Sequence, residues 1–370
     1  MRHYIIPIFI PHLGCPHTCV FCSQRRITGA ATNISPEDIA RILDFHLSHI
    51  TREYYVEAAF YGGSFTALPG ELQEALLQPA AERLGKGGID AIRLSTRPDY
   101  IDSTILRRLQ VRGVRTIELG AQSFDDRVLA AAGRGHTAED IRRAGRMVRQ
   151  AGFSLGIQLM PGLPGDTMDT MRNSLEQTLQ MKPSAARIYP TVVIRDTVLA
   201  GLYEQGKYVP LSLPEAVHIA ALMKLAMERQ GIKVIRTGLQ SGGELDQQGT
   251  ILAGPYHPAF GEMVESHFFD CMTEELFERW PELRGEVVLH HAPRDASKLR
   301  GQHSENLKRW QEKYPQAVFR LQADGTEADT IAAEFSGLCY NMSKWTLKMG
   351  WTHEGTYDAG HGLSNGDKLL

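Results

Sequence analysis

Cys15, Cys19 and Cys22 fall in one short stretch, Gly14-Cys15-Pro16-His17-Thr18-Cys19-Val20-Phe21-Cys22-Ser23, spaced C-x3-C-x2-C with an aromatic residue directly before the third thiol. Three thiolates are one short of the four that normally hold a [4Fe–4S] cube. A cube held by three keeps one iron without a protein ligand, as catalytic metal sites keep an open position. That iron can bind and reduce a small molecule. A structural zinc site would need a fourth Cys or His, usually in a second C-x2-C or H-x3–5-H pair. His12 and His17 are near, but no second pair follows. Disulfides do not suit a chain of five cysteines with three crowded together and no signal peptide. Cys271 and Cys339 stand alone and read as small buried hydrophobes.

Further residues able to do chemistry follow apolar runs. Gly62-Gly63-Ser64 reads first as a tight turn, since glycine supplies positive φ without strain. Ser95-Thr96-Arg97-Pro98-Asp99 and Glu118-Leu119-Gly120-Ala121-Gln122-Ser123 follow or end two more such runs. Arg134 lies in Gly133-Arg134-Gly135-His136-Thr137; its fork suits a carboxylate, although a solvated surface arginine is the plainer reading. Gln158-Leu159-Met160-Pro161-Gly162-Leu163-Pro164-Gly165 fixes a backbone that could lie flat against an aromatic ring. Any one of these is weak, because glycine-rich turns are common. Their occurrence in order, at successive strand ends, is what carries weight.

The elements that must position them alternate. Tyr4 to Ile10 reads as a buried strand rather than a signal peptide, lacking a basic start and a small-residue cleavage site. Ser35-Pro36-Glu37-Asp38 opens a helix with a capping hydroxyl, proline in the first turn and acids favoured by the dipole. Strands are expected over 56–61, 90–94, 114–119, 153–159, 185–189 and 232–235, with helices over 71–84, from Asp102 to Gly113, from Thr137 to Gly152, and over 166–181 and 214–230. This is an α/β pattern of six βα units, and such alternation means a parallel sheet covered by crossover helices. A doubly wound sheet remains open from the pattern alone. Beyond Gln240 the pattern changes to helix-like Pro258 to Arg279, strand-like Glu286 to His290, helix-like Ser304 to Tyr314 and strand-like Ala317 to Leu321. The expected division is therefore 1–240 as the main domain, 241–351 as a small α+β region and 352–370 as a disordered tail. At 370 residues, 42% hydrophobic and net charge −3, the chain has no global attraction to nucleic acid and no apolar run long enough for a membrane span. A cytoplasmic setting suits an oxygen-sensitive cluster.

The cysteine triplet with its preceding Phe21 resembles the signature of the radical S-adenosylmethionine (SAM) enzymes. That resemblance implies a partial (β/α)6 barrel with a [4Fe–4S] cluster on Cys15, Cys19 and Cys22. It also implies a spare iron that chelates SAM and an electron that cleaves it to a 5′-deoxyadenosyl radical. In barrels the chemistry lies at the C-terminal strand ends. On the same resemblance, the backbone of Gly62, Gly63 and Ser64 holds the methionine amino group, with Ser64 standing where many relatives have Glu or Thr. Ser95 reaches the amino or ribose groups, Gln122 the ribose region, and Arg134 the SAM carboxylate. Gln158 stands where relatives often carry Asp for the ribose hydroxyls, while Met160 and Phe21 border the adenine. An electron donor of flavodoxin or ferredoxin type is the expected partner.

Within that superfamily the chain is most similar to the Elongator catalytic subunit (Elp3-like) and coproporphyrinogen-dehydrogenase-like proteins. The similarity rests on Glu118 to Ser123, Arg134-Gly135-His136-Thr137, Met160 to Gly165, Arg187-Ile188-Tyr189-Pro190-Thr191 and Ile194-Arg195-Asp196-Thr197. Elongator-type relatives modify the wobble uridine of tRNA, so it implies a tRNA base as substrate, with Tyr189 and Arg195 nearest the reacting base. No glycine-rich acetyl-CoA loop is evident beyond residue 240, which separates this sequence from an acetyltransferase-bearing relative. Arg25, Arg26, Lys298 and Arg300 are candidate phosphate contacts and His257 a candidate substrate contact, against the plainer reading of a solvated face. His290 and His291 could join a zinc site only with partners the sequence does not identify. Two other functions stay open: a radical SAM enzyme acting on a small molecule such as a tetrapyrrole, and a non-catalytic Fe–S module.

Overall fold

The computed structural model describes residues 2–10, 15, 19–23, 34–50, 54–85, 87–240 and 242–351. Arg25, Arg26 and the segment from Thr352 onward lie outside the described residues.

The strands are β1 (Arg2–Ile10), β2 (Tyr54–Gly62), β3 (Ala91–Thr96), β4 (Val114–Gln122), β5 (Ser154–Leu159), β6 (Ala185–Ile188), β7 (Val193–Ile194), β8 (Lys233–Thr237), β9 (Ile251–Ala253), β10 (Gly285–His291), β11 (Ala317–Ala323), β12 (Thr330–Phe335) and β13 (Leu338–Ser343). Seven of them form one sheet in the order β1-β2-β3-β4-β5-β6-β8, and every pair from β1 to β6 is parallel. Helices intervene because parallel neighbours cannot be joined by a tight turn. The sheet curls into a partial barrel, as the radical-SAM resemblance implies, and the doubly wound alternative is set aside.

Local chemistry explains where the helices begin. Ser35 caps Pro36–His49 and Thr137 caps Ala138–Gln150, each in a reciprocal capping box with Asp38 or Asp140. Thr167 does the same for Met168–Met181 through Thr170, and Asp102 caps Ser103–Val111. The short helices Asp126–Ala131 and Val198–Glu204 were not expected, being too brief to show a period.

Packing follows the pleat. Ile6, Ile8, Ile10, Phe60, Leu94 and Ile117 are fully or almost fully buried on the outer face of the sheet. Burying each such side chain stabilises the fold by about 1.5–3 kcal/mol. The alternate residues face the barrel interior, and there Phe9, Tyr61, Ser95, Gln158, Arg187 and Tyr189 are only half-buried. The inner face therefore remains accessible toward its C-terminal edge.

Two compact units can be distinguished. The first takes in Met1–Leu211, Gln230–Arg236 and Gln240–Tyr256, and it also holds the antiparallel β7–β9 ribbon. The second takes in Ser212–Arg229, Thr237–Leu239 and His257–Leu370. Within the second unit, the helices Leu213–Arg229 and Phe260–Phe277 accompany a four-stranded sheet ordered β11-β10-β12-β13. Its core stacks Phe277 on Phe319, with ring centroids 5.1 Å apart, and buries Trp310, whose Nε1 donates to Asp270 at 2.9 Å. Cys271 is buried there as expected. Cys339 is exposed, contrary to its reading as a buried hydrophobe, because its place on β13 opposite Glu334 leaves it outside that core. No helix among the described residues is long and apolar enough to cross a membrane.

Candidate functional site

The cysteine segment docks on the short helices Asp126–Ala131 and Val198–Glu204 that follow β4 and β7. Val20 N donates to Ala132 O at 3.1 Å, Leu199 N to Val20 O at 2.8 Å, and Cys22 N to Cys19 O at 3.0 Å. These bonds hold a turn whose Cys19 and Phe21 are buried in one apolar cluster with Val128, Met160, Leu163 and Tyr208. Cys15 and Cys22 are half-buried. Phe21 and Met160, read from the sequence as neighbours of one aromatic ligand, thus belong to the same wall.

Arg134 ties this segment to β4. Its Nη2 donates to Gly120 O at 2.7 Å and its Nη1 donates to Cys19 Sγ at 3.1 Å. Arg97 anchors it in turn, donating to the Arg134 carbonyl while pairing with Asp99 at 2.8 Å. The Arg134 Nε is buried with no hydrogen-bond partner among the described residues. His136 lies nearby, and burial, with Arg134 and Arg97 adding to it, pulls its pKa down to about 3. The imidazole is therefore neutral at physiological pH.

These features fit an iron–sulfur cluster. Hydrogen bonds to ligating sulfurs tune such clusters, and Cys19 already accepts one from Arg134. The Arg134 Nε, unpartnered on a guanidinium that reaches Cys19, also leaves a donor for a bound acceptor group. Among the described residues no three His, Cys, Asp or Glu side chains surround a single ion position, the cysteine triplet included. A cube holds its thiolates farther apart than one ion does.

The strand ends are built as follows. Gly62, at φ +102°, lies against Ile10, and a Cβ there would meet the Ile10 carbonyl oxygen at 3.3 Å. The turn therefore needs glycine on both counts. Ser64 is buried, its hydroxyl 3.0 Å from Thr96 Oγ1 and accepting from Arg97 N, so its side chain fastens β2 to β3. Gln122 takes φ +70° where the β4–β5 register shifts. Its Oε1 accepts from Gln158 Nε2 at 3.1 Å and its carbonyl from Met160 N at 2.9 Å. Asp166 pins the following loop by accepting from Gly162 N at 3.0 Å, and burial pushes its pKa up to about 6.

Below this rim runs a ladder of charge that sequence reasoning missed. Arg93 Nη2 pairs with Glu57 at 2.6 Å and its Nη1 with Glu118 at 2.9 Å; Glu118 then takes Arg187 Nε at 2.6 Å. Arg187 donates onward to the hydroxyls of Tyr61, at 2.7 Å, and Tyr189, at 2.9 Å. A Cβ on Gly156 would come within 2.7 Å of Glu118 Cγ, so β5 carries glycine where the carboxylate crosses it. Burial would raise the Glu118 pKa, but Arg187 and Arg93 outweigh it and hold the carboxyl below its ordinary range.

Tyr189 and Arg195 have different settings. Tyr189 belongs to the ladder, while Arg195 is exposed on the β7–β9 ribbon, where its backbone N donates to Thr250 O at 2.9 Å and its side chain to Gly249 O. In the second unit, Lys298 pairs with Asp295 and Asp329 at 2.9 Å each, so its charge is met within the fold. Arg300 is exposed at the end of Ala296–Arg300, and His257 Nδ1 accepts from Ala259 N at 3.1 Å. His290 pairs with Asp324 at 2.7 Å, whereas the ring of buried His291 bonds the Ala292 carbonyl at 2.8 Å. Adjacent strand residues point to opposite faces, so these two imidazoles do not converge on one metal.

Comparison with known proteins agrees with this geometry. The family model described as the radical SAM superfamily matches residues 9–178, and that described as the radical SAM C-terminal domain matches residues 183–269. The chain is 26% identical over 306 residues to the tRNA uridine(34) acetyltransferase of Methanocaldococcus jannaschii, covering 70% of this chain and 54% of that protein. It is 25% identical over 195 residues to the heme chaperone HemW of Lactococcus lactis, covering 52% of this chain and 50% of that protein. The solved structure of an N-terminally deleted Elp3 from Methanocaldococcus infernus shares the fold at a TM-score of 0.57 and 21% identity, covering 72% of this chain and 63% of that one. The chain thus spans about half the length of the curated relatives it matches. With a cysteine triplet docked at the strand ends of a partial barrel, and family models over residues 9–178 and 183–269, the chain belongs to the radical SAM superfamily.

Proposed function

We propose that this chain is a radical SAM enzyme that acts on a tRNA base. The observation that carries the first part is Arg134, which joins the end of β4 to the Cys19 sulfur and so ties the cysteine segment to the strand-end loops. Cys15, Cys19 and Cys22 would hold a [4Fe–4S] cluster, which when bound supplies the electron for reductive cleavage of SAM. Arg134 holds Cys19 in place through its hydrogen bond to the sulfur. The Phe21 and Met160 wall excludes water from that side. Ser95, Gln122 and Gln158 offer a hydroxyl and two amides for the polar groups of SAM, and Gly62 and Gly63 allow close backbone approach.

The RNA substrate is supported by similarity to a tRNA uridine(34) acetyltransferase. In this reading Arg25 and Arg26, beside the third cysteine, neutralise phosphates. Affinity for tRNA then falls with salt by about 0.7–0.9 log units per log salt for each contact. Filter binding at several salt concentrations tests this, and Arg25→Gln with Arg26→Gln should flatten the slope by about two such contacts. Absence of tRNA binding at low salt would refute the RNA substrate. The similarity to a heme chaperone supports a second reading, in which the ligand is a tetrapyrrole.

A further inference from the structure

The inner face of the first unit's sheet carries two phenols whose protons no described residue accepts. Tyr61 lies on β2 and Tyr189 directly follows β6, with Arg187 between them. A guanidinium donates and cannot accept, so both phenol oxygens are acceptors in their bonds to Arg187. Each O–H is left to donate elsewhere. Accepting from a cation polarises a hydroxyl and strengthens it as a donor. Burial also holds both phenols above their ordinary pKa range, so they keep their protons at neutral pH.

Arg187 cannot easily turn away. Its Nε and Nη2 lie on Glu118 at 2.6 and 3.3 Å, and its guanidinium carbon sits 5.0 Å from the Tyr61 ring centroid. Glu118 is shared with Arg93, which Glu57 holds from the other side. Two carboxylates thus meet two guanidinia, with the His3 ring also on Glu57 at 2.8 Å, so both guanidinia already have carboxylate partners. Both tyrosines are half-buried, so a ligand on the inner face can reach them.

We propose that Tyr61 and Tyr189 are a pair of hydroxyl donors that receives a neutral carbonyl oxygen of the substrate, with Arg187 as the residue that positions and polarises them. This rests on the proposed function only in taking the inner face of the barrel as the substrate's place. Arg236 is a further cation acting on Tyr189, so an anionic ligand needs its own arm in the test.

Protein labelled with carbon-13 at tyrosine Cζ reports the hydrogen bonding of each phenol, with the two resonances assigned from Tyr61→Phe and Tyr189→Phe. Uridine, the neutral carbonyl probe, should move both along one saturation curve. Loss of either hydroxyl should weaken that binding by about tenfold, the effect of one hydrogen bond. Arg187→Lys keeps the charge without the fork and should weaken it as well; if that variant misfolds, the two Phe variants still decide. Tyr203→Phe, a partly exposed phenol elsewhere in the first unit, should leave the affinity unchanged. A purely structural role would alter stability and leave probe affinity intact in all of these variants, and would overturn the proposal. Coproporphyrin, with its propionate carboxylates, is the anionic arm. A response to it alone overturns the neutral-carbonyl assignment, and no response to either probe overturns the donor pair. A response to uridine in a protein that fails to bind tRNA supports the donor pair and counts only against the RNA substrate.

Discussion

Alanine at Cys15, Cys19 or Cys22 should abolish the iron-dependent visible absorption of anaerobically reconstituted protein, while Cys271→Ala and Cys339→Ala keep it. The difference follows from setting. Cys19 already accepts a hydrogen bond from Arg134, and the other two thiols stand within four residues of it in the sequence. Cys271 is buried on the helix Phe260–Phe277 of the second unit, and Cys339 is exposed on β13, where burial and neighbouring carboxylates hold its thiol above the ordinary range. A two-thiolate remnant lacks the ligands to keep a cube against solvent. Iron and sulfide analysis of the five variants checks the result; full iron in Cys19→Ala would show that the cluster has other ligands.

The second large effect is on stability. Glu118→Ala removes the carboxylate shared by Arg93 and Arg187 and leaves two nearly buried guanidinia short of a partner, which should cost about 3–5 kcal/mol. Urea unfolding of the apo protein measures this. The pH dependence has a definite sign. Because the Glu118 carboxyl is held below its ordinary range, its contribution is present above the ordinary value of 4.5 and is lost as pH falls through the lower folded-state value. Glu118→Ala should therefore differ most from the parent at neutral pH and least in acid. A loss of less than about 1 kcal/mol, the level of an exposed pair, would show that the ladder is hydrated.

That ladder marks where the sequence stops being legible. The capping residues Ser35, Asp102 and Thr137 and the glycines ending β2 are local signals, and the elements they announce are present. Glu57, Arg93, Glu118 and Arg187 each look like an ordinary solvated charge. Their partnership depends on register: Glu57 opposite Ala91, Ser95 opposite Glu118, and Gln158 opposite Arg187 set charges of alternating sign on one face. A charged residue inside an otherwise apolar parallel strand was the available signal, but register across crossover helices cannot be read from pattern. Ser64 is the converse case. Its backbone reads as a ligand contact, and its hydroxyl, which nothing in the sequence marks, fastens to Thr96 and the Arg97 amide. Lys298 looked like a phosphate contact, yet it pairs with Asp295 one helical turn away and with Asp329, which lies beyond a helix and a strand in the sequence.

The most direct measurement of the central claim is the fate of SAM on the reduced, cluster-loaded protein. Chromatography of the anaerobic reaction should show SAM consumed, with 5′-deoxyadenosine and methionine appearing in equal amounts, and neither product from Cys19→Ala. Intact SAM alongside a full complement of reduced cluster would contradict the account and leave an iron–sulfur module without the chemistry.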